Sequence, residues 1–86
     1  MKSIQILYFA RVKEKLNYST EAVDLPDEIH NIAQLKLFLA QRGDVWREIF
    51  ASQQSIRAAI NHQLVDDTAT IQPQDEVAFF PPVTGG

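Results

Sequence analysis

Apolar and polar residues alternate through the first segment, with Ile4, Ile6 and Tyr8 set against Ser3 and Gln5. This period of two predicts a strand over Ser3–Phe9. Toward its end Leu7 and Phe9 make the second face apolar as well, and a strand apolar on both faces lies in the middle of a sheet or faces a partner. Lys13–Leu16 fits a helical turn. Thr20–Leu25 alternates again, Ala22 and Asp24 against Val23 and Leu25, until Pro26-Asp27 stops it. The period then changes. Ile32, Leu35, Phe38 and Leu39 recur at helical spacing, Asn31 is placed to cap the helix, and Gln34 stands where a capping-box partner belongs. Leu37 breaks the polar face of this Asn31–Gln41 helix, and Gly43 is expected to end it in a left-handed conformation. Val45, Trp46, Ile49 and Phe50 predict a short second helix. Arg57–Asn61 reads as a third strand, turned by Asn61-His62-Gln63 into a short return strand at Leu64-Val65. Asp66-Asp67 ends that strand, and Ile71 packs inward. The turn Pro73-Gln74-Asp75 then leads into a last strand, Glu76–Phe80.

One main helix with four or five strands predicts an α+β domain. The helix covers one face of a mixed sheet and leaves the other face open. The order of elements suits a β-grasp, or ubiquitin-like, sheet, whose first and last strands lie side by side at the centre. The expected division is a domain over 1–80 and an extended tail over 81–86.

Eighty-six residues make one small domain, with little depth for an enclosed active site. A formal net charge of −3 disfavours nucleic acid as a partner, and Arg11, Lys13 and Lys15 read as a solvated basic face. There are no cysteines, so disulfides, thiolate metal sites and cysteine persulfides are excluded. His30 and His62 fall in turns without ligand spacing, so no metal site is expected. The acidic pairs Asp66-Asp67 and Asp75-Glu76 read as solvated turn acids. No apolar stretch is long enough for a signal peptide or membrane span, which points to the cytoplasm. The body of the chain reads as a scaffold that binds no cofactor.

Chemistry concentrates in the tail. Two of the three glycines, Gly85 and Gly86, end the sequence, and no charged side chain follows Glu76. A tip without side chains enters a slot too narrow for any other residue. Before it, Pro81-Pro82 cannot donate to a sheet and favours an extended, stiff backbone. Pro81 to Gly86 would carry the carboxylate up to ~16–18 Å beyond the sheet. The functional group is therefore expected to be the carboxyl of Gly86. Leu7, Phe9, Leu64 and Phe80 form either an exposed apolar patch at the root of the tail or part of the core.

The segment Asp75-Glu76-Val77-Ala78-Phe79-Phe80-Pro81-Pro82-Val83-Thr84-Gly85-Gly86 closely resembles the terminal signature of the small, sulfur-carrying subunit of molybdopterin synthase. Phe9-Ala10-Arg11-Val12-Lys13-Glu14, Ala59-Ile60-Asn61 and Leu64-Val65 agree as well. The resemblance implies that an ATP-consuming, ubiquitin-activating-like adenylyltransferase adenylates Gly86, and that the adenylate becomes a thiocarboxylate. It implies docking on the large synthase subunit, which binds the pterin and receives the sulfur onto cyclic pyranopterin monophosphate. Gly85 then gives the tail access, and Phe9, Leu64, Phe80, Pro81, Pro82, Val83 and Thr84 contact the partner. By the same resemblance the assembly is a heterotetramer. Three other readings stand beside it: delivery of sulfur to another acceptor, a ubiquitin-like modifier joined to lysine, and an interaction module with an inert tail.

Overall fold

The computed structural model describes residues 1–51 and 56–82. Eight elements follow in the order β1 (Lys2–Tyr8), α1 (Ala10–Leu16), β2 (Thr20–Leu25), α2 (Ile32–Ala40), α3 (Asp44–Phe50), β3 (Arg57–Ile60), β4 (Gln63–Val65) and β5 (Glu76–Phe80). The strands form one mixed sheet in the order β2-β1-β5-β3-β4. β1 and β5 lie side by side, as expected; the structure pairs them parallel, while every other strand pairing among the described residues is antiparallel.

Alternation along the strands decides what is buried. Ile4, Ile6 and Tyr8 of β1, Val23 and Leu25 of β2, Ala58 of β3, and Val77 and Phe79 of β5 join one core with residues of all three helices. The helices contribute Val12 and Leu16 of α1, Ile32, Leu35 and Leu39 of α2, and Ile49 and Phe50 of α3. Ile71 is buried as anticipated, and Leu37 projects into solvent at 60% exposure. The capping box at α2 is present: Asn31 Oδ1 accepts from the Gln34 N–H at 2.9 Å, and Gln34 Oε1 accepts from the Asn31 N–H at 3.3 Å. The β3–β4 turn places Asn61 at φ 50° and His62 at φ 72°. Two successive positive values are what a tight hairpin between right-twisted strands requires.

Three expectations need correction. Gly43 does not end α2 in a left-handed conformation; Gln41 closes that helix in a right-handed one, and Gly43 is extended at the start of α3. α1 is longer than one turn. Phe9 opens it from an extended backbone, and Asn17 closes it at φ 61° by donating its N–H to the Lys13 carbonyl, a position that suits asparagine. Asp75 is not a solvated acid. It is buried, and its carboxylate accepts from Asn61 Nδ2 at 2.9 Å and from the Gln72 N–H at 2.8 Å, pinning the turn that starts β5.

Candidate functional site

The sheet has a helix-covered face and an open one, and register sets the composition of the open face. Leu7 of β1 pairs with Ala78 of β5, Ala78 with Ala59 of β3, and Ala59 with Leu64 of β4. Paired residues project from the same side of a sheet, so an apolar row crosses four strands. The next row toward the C-terminal end of β5 holds Phe80, paired with Arg57. Phe9 follows β1 there, and its N–H donates to the Phe79 carbonyl at 3.0 Å. Phe9 and Leu64 are 48% and 59% exposed, and Leu7 and Phe80 are half-buried. These residues therefore form a surface patch. Apolar groups left in water beside one another mark an interface.

Away from the tail the same face turns polar. Ser3 donates to Asp24 and Gln5 to Thr20 across β1 and β2, and His62 Nε2 lies 3.5 Å from Glu76 Oε1. The apolar area is thus confined to the end of the sheet from which the chain leaves β5.

Beneath that end the packing is aromatic. Phe79 meets Phe50 edge to face at 5.0 Å between centroids and stacks beside Tyr8 at 6.3 Å. The Tyr8 hydroxyl donates to Glu21 Oε2 at 2.7 Å, the same oxygen receives Arg42 Nη1 at 2.7 Å, and the Arg42 guanidinium lies 4.6 Å from the centroid of the Trp46 ring. Burial, reinforced by the bond to Glu21, holds the Tyr8 phenol far above its usual pKa. The sequence reading missed this network, because its members come from β1, β2, α3 and the segment between α2 and α3. The two central strands that carry the patch thus rest on a tightly packed base.

Pro81 and Pro82 continue from β5 but do not stand clear of the domain. Both are half-buried and share a groove with Arg11, Val12 and Lys15 of α1. Val83, Thr84, Gly85 and Gly86 lie outside the described residues. Of the expected site residues, Phe9, Phe80, Pro81 and Pro82 lie at the root of the tail, and Leu64 ends the apolar row on the edge strand β4. His30 and His62 are exposed, and no cluster of metal-ligating side chains occurs among the described residues. No helix among them is long and apolar enough to cross a membrane.

The model of the ThiS family matches residues 6–86. The chain is 35% identical over 83 residues to the molybdopterin synthase sulfur carrier subunit of Escherichia coli, covering 96% of this chain and 99% of the relative. The corresponding subunit of Haemophilus influenzae is 34% identical with the same coverage. Among solved structures, SAMP1 from Haloferax volcanii superposes with a TM-score of 0.74 at 22% identity, covering 98% of this chain and 99% of that one. A chain in the complex of subunits 1 and 2 of molybdopterin-converting factor from Helicobacter pylori superposes at 0.65 and 19% identity, covering 98% and 99%. These structures share the ubiquitin-like β-grasp fold seen here.

Proposed function

The chain belongs to the ThiS family, and we propose that it is the sulfur carrier of molybdopterin synthesis, with the carboxyl of Gly86 as its working group. The observation that carries the reading is the bare apolar patch beside the root of a chain segment that runs on to Gly85-Gly86. A carrier must hand a small terminus to other proteins, and a docking surface next to that terminus supports such a transfer. Relatives bearing the sulfur-carrier name over almost their whole length support the same reading.

The chemistry follows from the carboxylate. It is a poor electrophile, so a better leaving group is needed at the acyl carbon. A carboxylate oxygen of Gly86 attacks the α-phosphorus of ATP on an adenylyltransferase, and pyrophosphate leaves. A sulfide equivalent then attacks the acyl carbon and releases AMP, leaving a thiocarboxylate. The loaded carrier docks through Phe9, Leu64 and Phe80 on the large subunit, and Pro81 to Thr84 lead the tail inward. Sulfur passes to cyclic pyranopterin monophosphate held by that subunit. In this reading the chain binds no cofactor of its own, and ATP and pterin bind to its partners.

The test is to incubate the chain with its organism's adenylyltransferase, ATP and a sulfide source, and to map the C-terminal peptide by mass spectrometry. Exchange of one oxygen for sulfur localised to Gly86 is expected. An unchanged carboxylate, with the enzyme competent on another carrier, would refute the reading. If the thiocarboxylate forms but the large subunit yields no dithiolene product, only the acceptor is wrong.

A further inference from the structure

On the side of β5 opposite the open face, the root of the tail borders a groove of about 190 Å³, far more than the ~10–15 Å³ one water needs. Its floor is Val12, Ile49 and Ile56, all buried, and its wall is Pro81 and Pro82. Arg11 and Lys15, one helical turn apart on α1, line its mouth. Both are exposed. Lys15 leans toward Glu48 at 3.4 Å, whereas Arg11 has no ion pair among the described residues. A chain of net charge −3 thus presents two cations around an apolar floor.

We propose that this groove seats an apolar side chain flanked by a carboxylate, on a segment of the large subunit that receives the tail. Three features select that occupant. The floor takes an apolar group and excludes a bare ion. The Arg11 fork matches a carboxylate held beside that group. Pro81 and Pro82 belong both to the groove and to the segment that enters the partner, so a subunit enclosing the tail reaches the groove without a second docking event. The tail root would then be held on two sides, by apolar contact on the open face and by a charged contact on the α1 face. The charged contact sets the direction in which the tail enters.

This inference rests on the carrier reading, and its test separates the two. Affinity of the full chain for its organism's large subunit is measured by titration calorimetry at low and moderate salt. The chains compared are the unaltered protein, Arg11→Glu, Arg11→Gln and the open-face variant Leu64→Ala. Arg11→Glu is expected to weaken binding about tenfold or more, Arg11→Gln by less, and both to flatten the salt dependence. Their melting temperatures should match that of the unaltered chain, because Arg11 is exposed. Arg11→Glu binding within about twofold of the unaltered chain overturns the groove assignment, and a loss in Leu64→Ala alone leaves the carrier reading standing. No binding by the unaltered chain overturns both. A photo-crosslinker attached at position 15, on the same groove and leaving Arg11 in place, should label a peptide of the large subunit that carries Asp or Glu next to an apolar residue. Labelling only of the adenylyltransferase or of a second copy of this chain overturns the proposal, as does a labelled peptide without a carboxylate.

Discussion

Replacing Leu64 with alanine separates docking from folding in a single side chain. Leu64 sits on the short strand β4 and is 59% exposed. A leucine wholly buried contributes about 1.5–3 kcal/mol. The exposed part, roughly three-fifths, leaves about 0.9–1.8 kcal/mol to be gained when a partner covers it. Lost from the complex, that is about a 5- to 20-fold rise in Kd. The part already covered contributes roughly 0.6–1.2 kcal/mol to folding, so the melting temperature should fall by about 2–10 °C in a domain of this size. Calorimetric titration with the large subunit reads the first quantity and thermal denaturation the second. Phe79→Ala is the contrasting control: Phe79 is fully buried, and its truncation should cost about 3–5 kcal/mol of stability. If Leu64→Ala binds as tightly as the unaltered chain, the open-face patch is not the docking surface. If it melts more than about 10 °C lower, Leu64 belongs to the core and the partition above is wrong.

Gly86→Ala should slow adenylation while leaving the melting temperature unchanged; normal adenylation kinetics would count against the narrow-slot argument. Asp75→Ala leaves the Asn61 amide and the Gln72 N–H without their acceptor. A loss of about 1–3 kcal/mol is expected in urea denaturation, and an unchanged midpoint would mean that the turn does not depend on the carboxylate. Tyr8 carries a pH dependence. The unfolded phenol ionises near ~10, while burial and Glu21 keep the folded one protonated well above that. Its contribution is therefore fully present below pH ~10 and declines as pH rises further, because the unfolded chain loses a proton that the folded chain retains. Urea denaturation of Tyr8→Phe across this range should show a shallower loss of stability with pH; an unaltered slope would refute the assignment.

Much of the fold was legible because each strand and helix writes its own period. Ile4-Ile6-Tyr8 and Ile32-Leu35-Leu39 declare their buried faces without tertiary information. The failures lie where a residue's partner is distant in sequence or where glycine has two plausible jobs. Gly43 follows α2 closely enough to end it, yet Gln41 already closes that helix two positions earlier, and Gly43 serves α3 instead. Asp75 looks like any turn acid until β3 brings Asn61 against it. The patch shows the same limit. Leu7, Ala59, Leu64, Ala78 and Phe80 are apolar in the sequence, but whether they are core or surface depends on which face the helices cover. The groove was hidden for a related reason: Arg11 and Lys15 announce a basic face, and only the path of Pro81-Pro82 beside α1 makes it the rim of an apolar floor.

The placement of β5 has a mechanical consequence. The strand that runs into the tail is not at an edge but is bonded on one side to β1 and on the other to β3. A pull on the tail therefore loads β5 along its own axis, in shear, so that the bonds of both ladders resist together. Strain at an edge strand would instead peel the bonds apart one after another. If the terminus is drawn into one partner, released, and drawn into another, as the proposed carrier role requires, it is moored to the part of the sheet that yields last, and traction on it can be borne by the whole domain.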